Sequence, residues 1–377
     1  MIYLDHNATT PLSEGVKKCI KDNLDCFVNP SSLYKENLKI QSQIKDARCS
    51  VARLINSPED NIIFTGCATE SNNTVFSSIF KSQEPTRHIV VSCVEHSAVL
   101  ETARYYQHIH NVEVTYLPVD AKGRISVDEL CDAIKSNTIL VSVMLVNNEL
   151  GNCYPISEIS KRVHNINPNI LVHTDATQAI GKMVVDVQKL EVDFLTLSGH
   201  KFCAPKGVGG LYIRDLEKFT PLLHGGHQEK GLRAGTENYL SIIAMGQAAK
   251  EAIDFNDFEK IAKLRDQFET KVTTFIRNSR VLGDVENRIC NTSSILFDEF
   301  DGITLCQMVN ELDDICISSG SACNSVVLKP SHVMAAIGLN QIPIRVSLGK
   351  STTEEELDIL FKSLIKATKI INRKGRK

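Results

Sequence analysis

Val192-Asp193-Phe194-Leu195-Thr196-Leu197-Ser198-Gly199-His200-Lys201 is the stretch of sequence from which the fold can be inferred. An apolar, strand-like run ends here in small and polar residues, and then in a lysine. In open α/β sheets, ligands bind beyond the carboxyl ends of the strands. A partly desolvated amine at such a place has a lowered pKa and can attack a carbonyl group to form a Schiff base. The alternative is a solvated loop lysine, because most lysines are exposed.

A second short apolar strand, residues 170–175, ends in Asp175. A pyridoxal phosphate (PLP) site needs a Schiff-base lysine and a carboxylate partner for the pyridinium nitrogen. Asp175 is therefore expected to keep that nitrogen protonated, with Lys201 as the Schiff-base residue. Gln178 is placed to donate to the phenolate oxygen of the ring. Ser198 and His200 flank the lysine and are candidates to hold the phosphate.

Five segments carry a resemblance to a known family. Asp175-Ala176-Thr177-Gln178 followed by Ser198-Gly199-His200-Lys201 resembles the class V group of fold-type I PLP enzymes. Three further segments are similar to its cysteine desulfurase branch, the NifS/IscS-like proteins: Tyr3-Leu4-Asp5-His6-Asn7-Ala8-Thr9-Thr10-Pro11, Arg233-Ala234-Gly235-Thr236-Glu237-Asn238 and Ser318-Ser319-Gly320-Ser321-Ala322-Cys323. These motifs occur in the order typical of the family, and several matches in order are more specific than any one of them.

Strands alternate with helices throughout residues 60–215, which predicts an α/β fold with a largely parallel sheet. The continuous apolar run 139–146 predicts a buried parallel strand. A final helix is expected to begin at Thr353, with Glu356 completing a capping box. The resemblance implies a fold-type I PLP-dependent transferase whose large domain, 15–255, contains a mostly parallel seven-stranded sheet. It also implies a smaller α+β domain, formed by 1–14 and 256–377, that carries the Cys323 loop.

Composition limits the class of protein. The chain has 377 residues, 42% hydrophobic and 23% charged, which is enough for a large core in two domains. Its net charge of −3 argues against direct nucleic-acid binding. No apolar run approaches the ~20 residues of a membrane span, and the N-terminus does not resemble a signal peptide. The twelve cysteines include no Cys-x-x-Cys pair, so a metal site is not expected, and a reducing, cytoplasmic location fits best.

Two candidate groups lie upstream of Asp175. Residues 66–73 open a helix after a short strand, and the free N–H groups at a helix start bind phosphate well. The resemblance implies that Ala68 and Thr69 form this phosphate cup; the alternative is that Thr69 caps the helix. His96 follows another strand, and the resemblance implies that it stacks on the cofactor ring and moves protons. The alternative is a capping or core histidine.

Three further residues match positions that contact substrate or cofactor in the family. The resemblance implies that Asn148 lies near the ring oxygen and the substrate carboxylate, and that Arg345 clamps this carboxylate. A guanidinium group suits that role because it binds carboxylates in a bidentate fashion, whereas a surface salt bridge is the alternative. Thr236 matches a residue that reaches the phosphate in the other subunit, which implies a homodimer with shared active sites.

Residues 318–325 are small and polar, a composition that favours a loop over a core segment. A lone cysteine in such a loop, Cys323, is exposed and can act as a nucleophile. An incidental surface cysteine is the alternative. The resemblance implies that Cys323 is the residue that forms a persulfide.

The predicted function is that of a PLP-dependent cysteine desulfurase. Lys201 removes the Cα proton of L-cysteine, the Cys323 thiolate takes the sulfur atom, and L-alanine is released. The persulfide then passes to an acceptor protein for iron–sulfur cluster assembly or for thiolation of other molecules. Two alternatives stay open: a selenocysteine lyase or other class V enzyme, and a non-catalytic sulfur-relay subunit.

Overall fold

The computed structural model describes residues 1–80, 87–320 and 329–374. Within these ranges the strands are β1 Ile2–Tyr3, β2 Ile62–Thr65, β3 His88–Ser92, β4 Glu113–Leu117, β5 Thr138–Ser142, β6 Leu171–Asp175, β7 Phe194–Ser198, β8 Gly209–Ile213, β9 Ser279–Val281, β10 Thr292–Phe297, β11 Ile315–Cys316 and β12 Ile344–Ser347. The α-helices are α1 Glu14–Asp22, α2 Asn37–Leu54, α3 Ala68–Ile79, α4 Ser97–Ile109, α5 Val127–Asp132, α6 Ile156–Ile166, α7 Val187–Leu190, α8 Tyr239–Ile253, α9 Phe258–Phe275, α10 Gly302–Asp313, α11 His332–Ala336 and α12 Glu354–Lys374. Short 3₁₀ helices span Glu59–Asn61, Gly199–Lys201, Leu216–Lys218 and Gln228–Gly231.

A seven-stranded sheet forms the centre of the larger part of the chain, in the order β2-β8-β7-β6-β5-β3-β4. The pairs β3–β4, β3–β5, β5–β6 and β6–β7 are parallel, whereas β8 runs antiparallel to both of its neighbours, β2 and β7. Strands β7 and β8 are buried at every position, so both faces of the sheet are covered there. This sheet confirms the predicted fold class.

The apolar run 139–146 is shorter as a strand than its composition predicts. Strand β5 ends at Ser142, but the chain continues beside β6 with less regular bonding. Val143 N–H donates to the carbonyl of His173 at 3.1 Å, and Leu145 N–H donates to that of Asp175 at 2.9 Å. The continuous apolar pattern reflects burial of the whole segment. Burial alone does not require the regular hydrogen bonding of a strand.

A second hydrophobic core joins the amino-terminal residues to the C-terminal third of the chain. It includes Leu4, Phe268, Ile295 and Leu364, and packs α9, α10 and α12 against the antiparallel sheet β12-β10-β9. Helix α12 begins as predicted: Thr353 N–H donates to Glu356 Oε2 at 2.9 Å and Glu356 N–H donates to the Thr353 hydroxyl at 3.2 Å. These are the reciprocal bonds of a capping box. The boundaries predicted for two domains remain a prediction.

The amino-terminal arm crosses from this second core to the central sheet. Strand β1 pairs in parallel with β11, and Asp5 forms a bridge with Ser347 at the end of β12. Five residues later, Thr10 N–H donates to the carbonyl of His200 at 2.9 Å. The arm therefore brings Asn7 and Ala8 to the carboxyl end of β7. No helix in the described ranges is both long and apolar enough to span a bilayer.

Candidate active site

A cavity of about 270 Å³ opens at the carboxyl ends of β6 and β7. Parallel strands that are neighbours in a sheet place their following residues at one edge, which is where the predicted site falls. Ten of the predicted site residues line this cavity: Ala68, Thr69, His96, Asn148, Asp175, Gln178, Ser198, His200, Lys201 and Arg345.

Lys201 is the last residue of the 3₁₀ turn that follows β7. Its Nζ donates to the carbonyl oxygen of Asn7 at 2.7 Å and to that of Ala8 at 2.8 Å. The amine therefore contacts the amino-terminal arm inside the cavity, which rules out a solvated loop lysine.

Asp175 ends β6 and is only 5% exposed. Its Oδ1 accepts from Thr177 N–H at 2.9 Å, and its Oδ2 accepts from the Asn72 side chain at 2.9 Å. Asn72 is fully buried in α3, so α3 and the residues that follow β6 together fix the position of the Asp175 carboxylate. The motif around Asp175 did not indicate this contact, because Asn72 lies 103 residues earlier.

His96 caps a helix and also lines the cavity. Its Nδ1 accepts from Ala98 N–H at 3.1 Å at the start of α4. Because Nδ1 is an acceptor, the neutral ring carries its proton on Nε2. The preceding residue, Glu95, is fully buried, and its Oε1 accepts from Met144 N–H at 2.6 Å. Burial raises the pKa of Glu95 well above its ordinary value, which favours the protonated form of this carboxyl group.

The start of α3 faces the cavity through Ala68 and Thr69, its first two residues. Thr69 does not cap the helix: the N-cap position belongs to Cys67, whose side chain makes no capping hydrogen bond. The first backbone N–H groups of the helix therefore lie where they can meet an anion. Just outside the helix, Gly66 N–H already donates to Glu70 Oε2 at 2.8 Å.

His200 contributes to the site as a neutral ring. Its Nδ1 and the Thr9 hydroxyl lie 3.1 Å apart. Burial and then the positive charge of Lys201 lower the pKa of His200 to about 4. Contact with a phosphate would therefore use a hydrogen bond from the imidazole and not an imidazolium charge.

Arg345 is 2% exposed in β12, so it is not part of a surface salt bridge. Its Nη1 donates to the carbonyl oxygen of Asn148 at 2.9 Å, and its Nη2 donates to Asp5 Oδ1 at 2.8 Å. The Asp5 carboxylate from the amino-terminal arm thus balances the guanidinium charge. The sequence motifs did not predict this role for Asp5.

One predicted site residue in the described ranges does not line this cavity. Thr236 is exposed and lines a separate, smaller cavity beside Gly66 and Arg233. Cys323 lies outside the described residues. The eleven cysteines in the described ranges are free thiols, and only Cys67 among them is exposed. Those ranges contain no cluster of His, Cys, Asp or Glu that could hold a metal ion.

Two residues that the motifs did not single out connect much of the site. Asn7 accepts from Lys201 through its main-chain oxygen, and its side chain bonds to Lys182, Asn291 and Thr292. Lys182 is 8% exposed and lies four residues after Gln178, within hydrogen-bonding distance of it. A lysine four residues after a predicted cofactor residue is a usable signal. Asn7 lies within the amino-terminal motif, but only tertiary contacts show its role.

The fold and the cavity together define an α/β protein that presents a lysine amine and a carboxylate at neighbouring strand ends. Comparisons with known proteins narrow this class. The sequence model of the class-V aminotransferase family matches residues 2–360. The chain therefore belongs to the class-V aminotransferase family.

Individual relatives share most of the length of the chain. It is 41% identical over 365 residues to a cysteine desulfurase of Nostoc sp., covering 95% of this chain and 90% of that protein. It is 40% identical over 371 residues to the cysteine desulfurase NifS of Azotobacter vinelandii, covering 96% and 91%. Among solved structures, a NifS-like protein superposes with a TM-score of 0.91 at 33% identity, covering 98% of this chain and 99% of that one. The protein SspA in complex with cysteine superposes with a TM-score of 0.81 at 35% identity, covering 92% and 99%.

Proposed function

We propose that this protein is a PLP-dependent cysteine desulfurase, which converts L-cysteine to L-alanine and transfers the sulfur atom to Cys323. The observation that carries the proposal is the Lys201 amine and the Asp175 carboxylate lining one cavity together with Arg345. Relatives that share about 40% of their residues with this chain are cysteine desulfurases, which supports the same substrate.

The residues of the cavity fit the chemical groups of PLP. The Lys201 amine suits the aldehyde, and the anchored Asp175 carboxylate suits a protonated ring nitrogen. The start of α3, at Ala68 and Thr69, suits the phosphate. Ser198 is 2% exposed and lines the cavity, where its hydroxyl would add a donor to that phosphate.

The remaining residues define how L-cysteine would be held and converted. When bound, PLP supplies an electron sink for the electron pair that is left on the substrate Cα. Arg345 and Asn148 hold the substrate carboxylate, which orients the Cα–H bond. The Lys201 amine takes the Cα proton, and His96, protonated on Nε2, is the nearby group that can return a proton.

Sulfur transfer is assigned to Cys323. Its thiolate attacks the sulfur atom of the substrate, so an S–S bond forms as the Cβ–S bond breaks, and the electron pair of that bond stays with the carbon that becomes the alanine methyl group. A thiol of ordinary pKa is only a few per cent ionised at neutral pH, so a neighbouring positive charge is needed. The ammonium group of the substrate is a candidate to supply it.

We propose that the enzyme is a homodimer in which Thr236 reaches the phosphate bound by the partner subunit. Thr236 is exposed and outside the cavity of its own chain, which supports a role toward a second copy. An apolar surface between residues 24 and 38 supports dimerisation, because monomeric proteins rarely leave such patches uncovered. Its exposed side chains are Leu24, Phe27, Leu33, Tyr34 and Leu38.

Three finer assignments complete the proposal. The domain division is 15–255 against 1–14 with 256–377, because the second core joins the amino-terminal arm to the C-terminal third. The location is the cytoplasm, which the free thiols of the described ranges support. The persulfide passes to a sulfur-acceptor protein for iron–sulfur cluster assembly or thiolation.

The experiment that tests this proposal is turnover of L-cysteine by the purified, PLP-loaded protein in the presence of a thiol reductant. Alanine and sulfide should form in equal amounts. Lys201→Ala should lower the rate by roughly 10²–10⁴-fold or more, because a positioned proton-transfer group contributes that much. The matched control is Lys206→Ala, an exposed lysine of the same loop, which should keep the parent rate. Alanine formation by Lys201→Ala at the parent rate would contradict the assignment, and absence of turnover in the parent would favour a sulfur-relay subunit.

A further inference from the structure

We propose that Lys182 is a positioning residue of this active site, whose ammonium group fixes the orientation of Gln178 and Asn7 and shapes the charge around Lys201. This inference rests on the proposed function, because it concerns the same PLP site. Neither composition nor the family motifs assigned a role to this lysine.

The burial of Lys182 is the first observation. The residue is 8% exposed, and in the described part of the chain its hydrogen-bond partners are two amide oxygens rather than a carboxylate. Its Nζ donates to Gln178 Oε1 at 2.6 Å and to Asn7 Oδ1 at 3.1 Å. A buried ammonium group that is paired with neutral groups carries a large desolvation penalty. Such a group is a poor choice for stability, which points to a role in the site.

The second observation is the orientation that Lys182 imposes on Gln178. An ammonium group only donates hydrogen bonds, so the amide oxygen of Gln178 must face Lys182. The amide nitrogen of Gln178 then faces the other way and donates to the Asn7 carbonyl oxygen at 3.0 Å. A primary amide has two N–H groups, which leaves a second N–H for an acceptor in the cavity that Gln178 lines. Lys182 thereby makes Gln178 a donor toward the cofactor.

The third observation is that Asn7 links the two lysines. Its Oδ1 accepts from Lys182, while its Nδ2 donates to Thr292 Oγ1 at 2.8 Å and to the Asn148 carbonyl at 3.2 Å. Its main-chain oxygen accepts from Lys201 Nζ at 2.7 Å. The orientation of the Asn7 side chain is therefore set by donors on one side and acceptors on the other. Removal of the Lys182 ammonium group would therefore disturb Asn7, whose main-chain oxygen accepts a hydrogen bond from the Lys201 amine.

Electrostatics between the two lysines supports the same role. Burial, and then the positive charge of Lys201, lower the pKa of Lys182 to about 7. The repulsion is mutual, so a charged Lys182 makes protonation of Lys201 less favourable. The titratable and charged groups that face Lys182 are His6, His200, Lys201, Cys203, Cys290 and Arg345.

Three substitutions in the holoenzyme separate orientation from charge. Lys182→Met removes both the positive charge and the hydrogen-bond donor. Lys182→Gln keeps a donor for Gln178 without the charge, and Lys182→Arg keeps the charge. The readouts are the pH midpoint at which the visible absorbance of bound PLP changes, the dissociation constant of PLP, and kcat and KM for L-cysteine. The matched control is Lys189→Met, because Lys189 lies seven residues further on with its side chain 83% exposed.

We expect Lys182→Met and Lys182→Gln to raise the absorbance midpoint by roughly one pH unit, because loss of a nearby positive charge favours a protonated nitrogen at Lys201. Lys182→Arg should not raise the midpoint, because a guanidinium group stays charged at every working pH. Lys182→Met should also weaken PLP binding and lower kcat at least tenfold, and Lys182→Gln should recover part of both. A residue with a merely structural role would not move the midpoint.

A parent midpoint in Lys182→Met and Lys182→Gln, with PLP affinity unchanged in both, would overturn the inference. Should Lys182→Met fail to fold, Lys182→Gln alone decides the charge effect. A parent protein that shows no visible PLP absorbance would instead contradict the proposed function, so the two failures can be told apart.

Discussion

Arg345 links several parts of the structure and is also the residue proposed to bind the substrate carboxylate. Its guanidinium group is nearly inaccessible, and its two terminal nitrogens are directed to Asn148 and to Asp5. Lysine cannot reproduce this planar arrangement of donors. The residue therefore joins the amino-terminal arm, the cavity wall and the proposed carboxylate site.

We predict that Arg345→Lys raises KM for L-cysteine by roughly 10- to 100-fold, as expected for loss of a charge-assisted bidentate contact. PLP absorbance should be retained. Steady-state kinetics on the holoenzyme measures the effect. Arg280→Lys is the control, since its ion pair with Asp298 is exposed and should leave KM unchanged. An unchanged KM in Arg345→Lys would remove Arg345 from the substrate site.

A second prediction at the residue scale concerns Cys323. Cys323→Ser should retain PLP and bind L-cysteine but lose nearly all alanine and sulfide release, because a hydroxyl group is a far weaker nucleophile toward sulfur than a thiolate. Mass spectrometry of the parent after L-cysteine, without reductant, should locate one extra sulfur atom on the peptide that contains Cys323.

Cys67→Ser is the control for that experiment, because Cys67 is exposed and lines the cavity. It should retain the parent activity. Extra sulfur on Cys67, combined with a fully active Cys323→Ser variant, would assign the transfer to a different thiol while leaving the PLP site intact.

At the scale of elements, a buried ion pair ties α2 and β2 to the turn Gln228–Gly231. The Arg48 side chain donates to both carboxylate oxygens of Glu229 at 2.7 Å, and Glu229 also accepts from Phe64 N–H at 2.9 Å. Glu229 and Lys230 both adopt positive φ angles, 47° and 60°, which non-glycine residues rarely do. The ion pair holds this unusual turn, which precedes Arg233 and Thr236.

We predict that Glu229→Gln lowers the free energy of unfolding by about 3 kcal/mol, because it leaves the buried Arg48 charge uncompensated. Urea unfolding at fixed protein concentration measures the change. Lys230→Gln is the neighbouring control, since its ion pair with Asp60 is exposed and screened by solvent and should contribute little to stability. Equal effects of the two substitutions would show that the Arg48–Glu229 pair does not stabilise the turn.

At the scale of the whole molecule, sharing of active sites can be tested by subunit mixing. A Thr236→Asp chain and a Lys201→Ala chain should each be inactive or strongly impaired as homodimers. In the mixed dimer both lesions fall in one site, and the other site keeps Lys201 from one subunit and Thr236 from its partner. We therefore predict up to half of the parent activity per mixed dimer, measured after purification through two different affinity tags.

The control for mixing is a Lys201→Ala chain paired with a chain that carries both substitutions, which should recover nothing. If each active site were formed by a single subunit, verified mixed dimers of the Thr236→Asp and Lys201→Ala chains would recover no activity. A monomeric parent protein would contradict the dimer itself.

The pH dependence of stability also belongs to the whole molecule. Burial lowers the pKa of His173, at the centre of the sheet, to about 4 from its ordinary value near 6.5. Between pH 6.5 and pH 4 the unfolded chain binds a proton at His173 that the folded chain does not bind. The free energy of unfolding therefore decreases as pH falls through this range. The decrease in the free energy of unfolding over this pH range amounts to about 3 kcal/mol. Glu95 acts in the opposite sense, because its pKa is raised.

We predict that His173→Gln reduces the loss of unfolding free energy between pH 6.5 and pH 4 by up to about 3 kcal/mol relative to the parent protein. The difference between variant and parent cancels the contribution of Glu95. The exposed His108, substituted in the same way, serves as control and should leave the pH dependence unchanged. Identical pH dependence of parent and His173→Gln would show that His173 is not the titrating group.

Much of the fold followed from the sequence by itself. Apolar runs that end in small or polar residues located strands of the central sheet, since burial on both faces leaves a continuous apolar pattern. The capping box at Thr353 was equally local, because both partners lie within one helical turn. Lys201 and Asp175 were recognisable because Asp175 ends β6 and Lys201 ends the short turn after β7, and adjacent parallel strands end at the same edge of the sheet.

Only the tertiary structure decided what surrounds these two residues. Asn7 meets Lys182 across 175 positions of sequence, and Asp5 meets Arg345 across 340. Such pairs leave no periodic signal, because their contact depends on how the amino-terminal arm crosses the sheet edge. The irregular end of the 139–146 run and the neutral state of His200 depend in the same way on burial and on neighbouring charges. Local pattern specifies which groups are available, whereas long-range packing specifies their partners, their orientation and their charge.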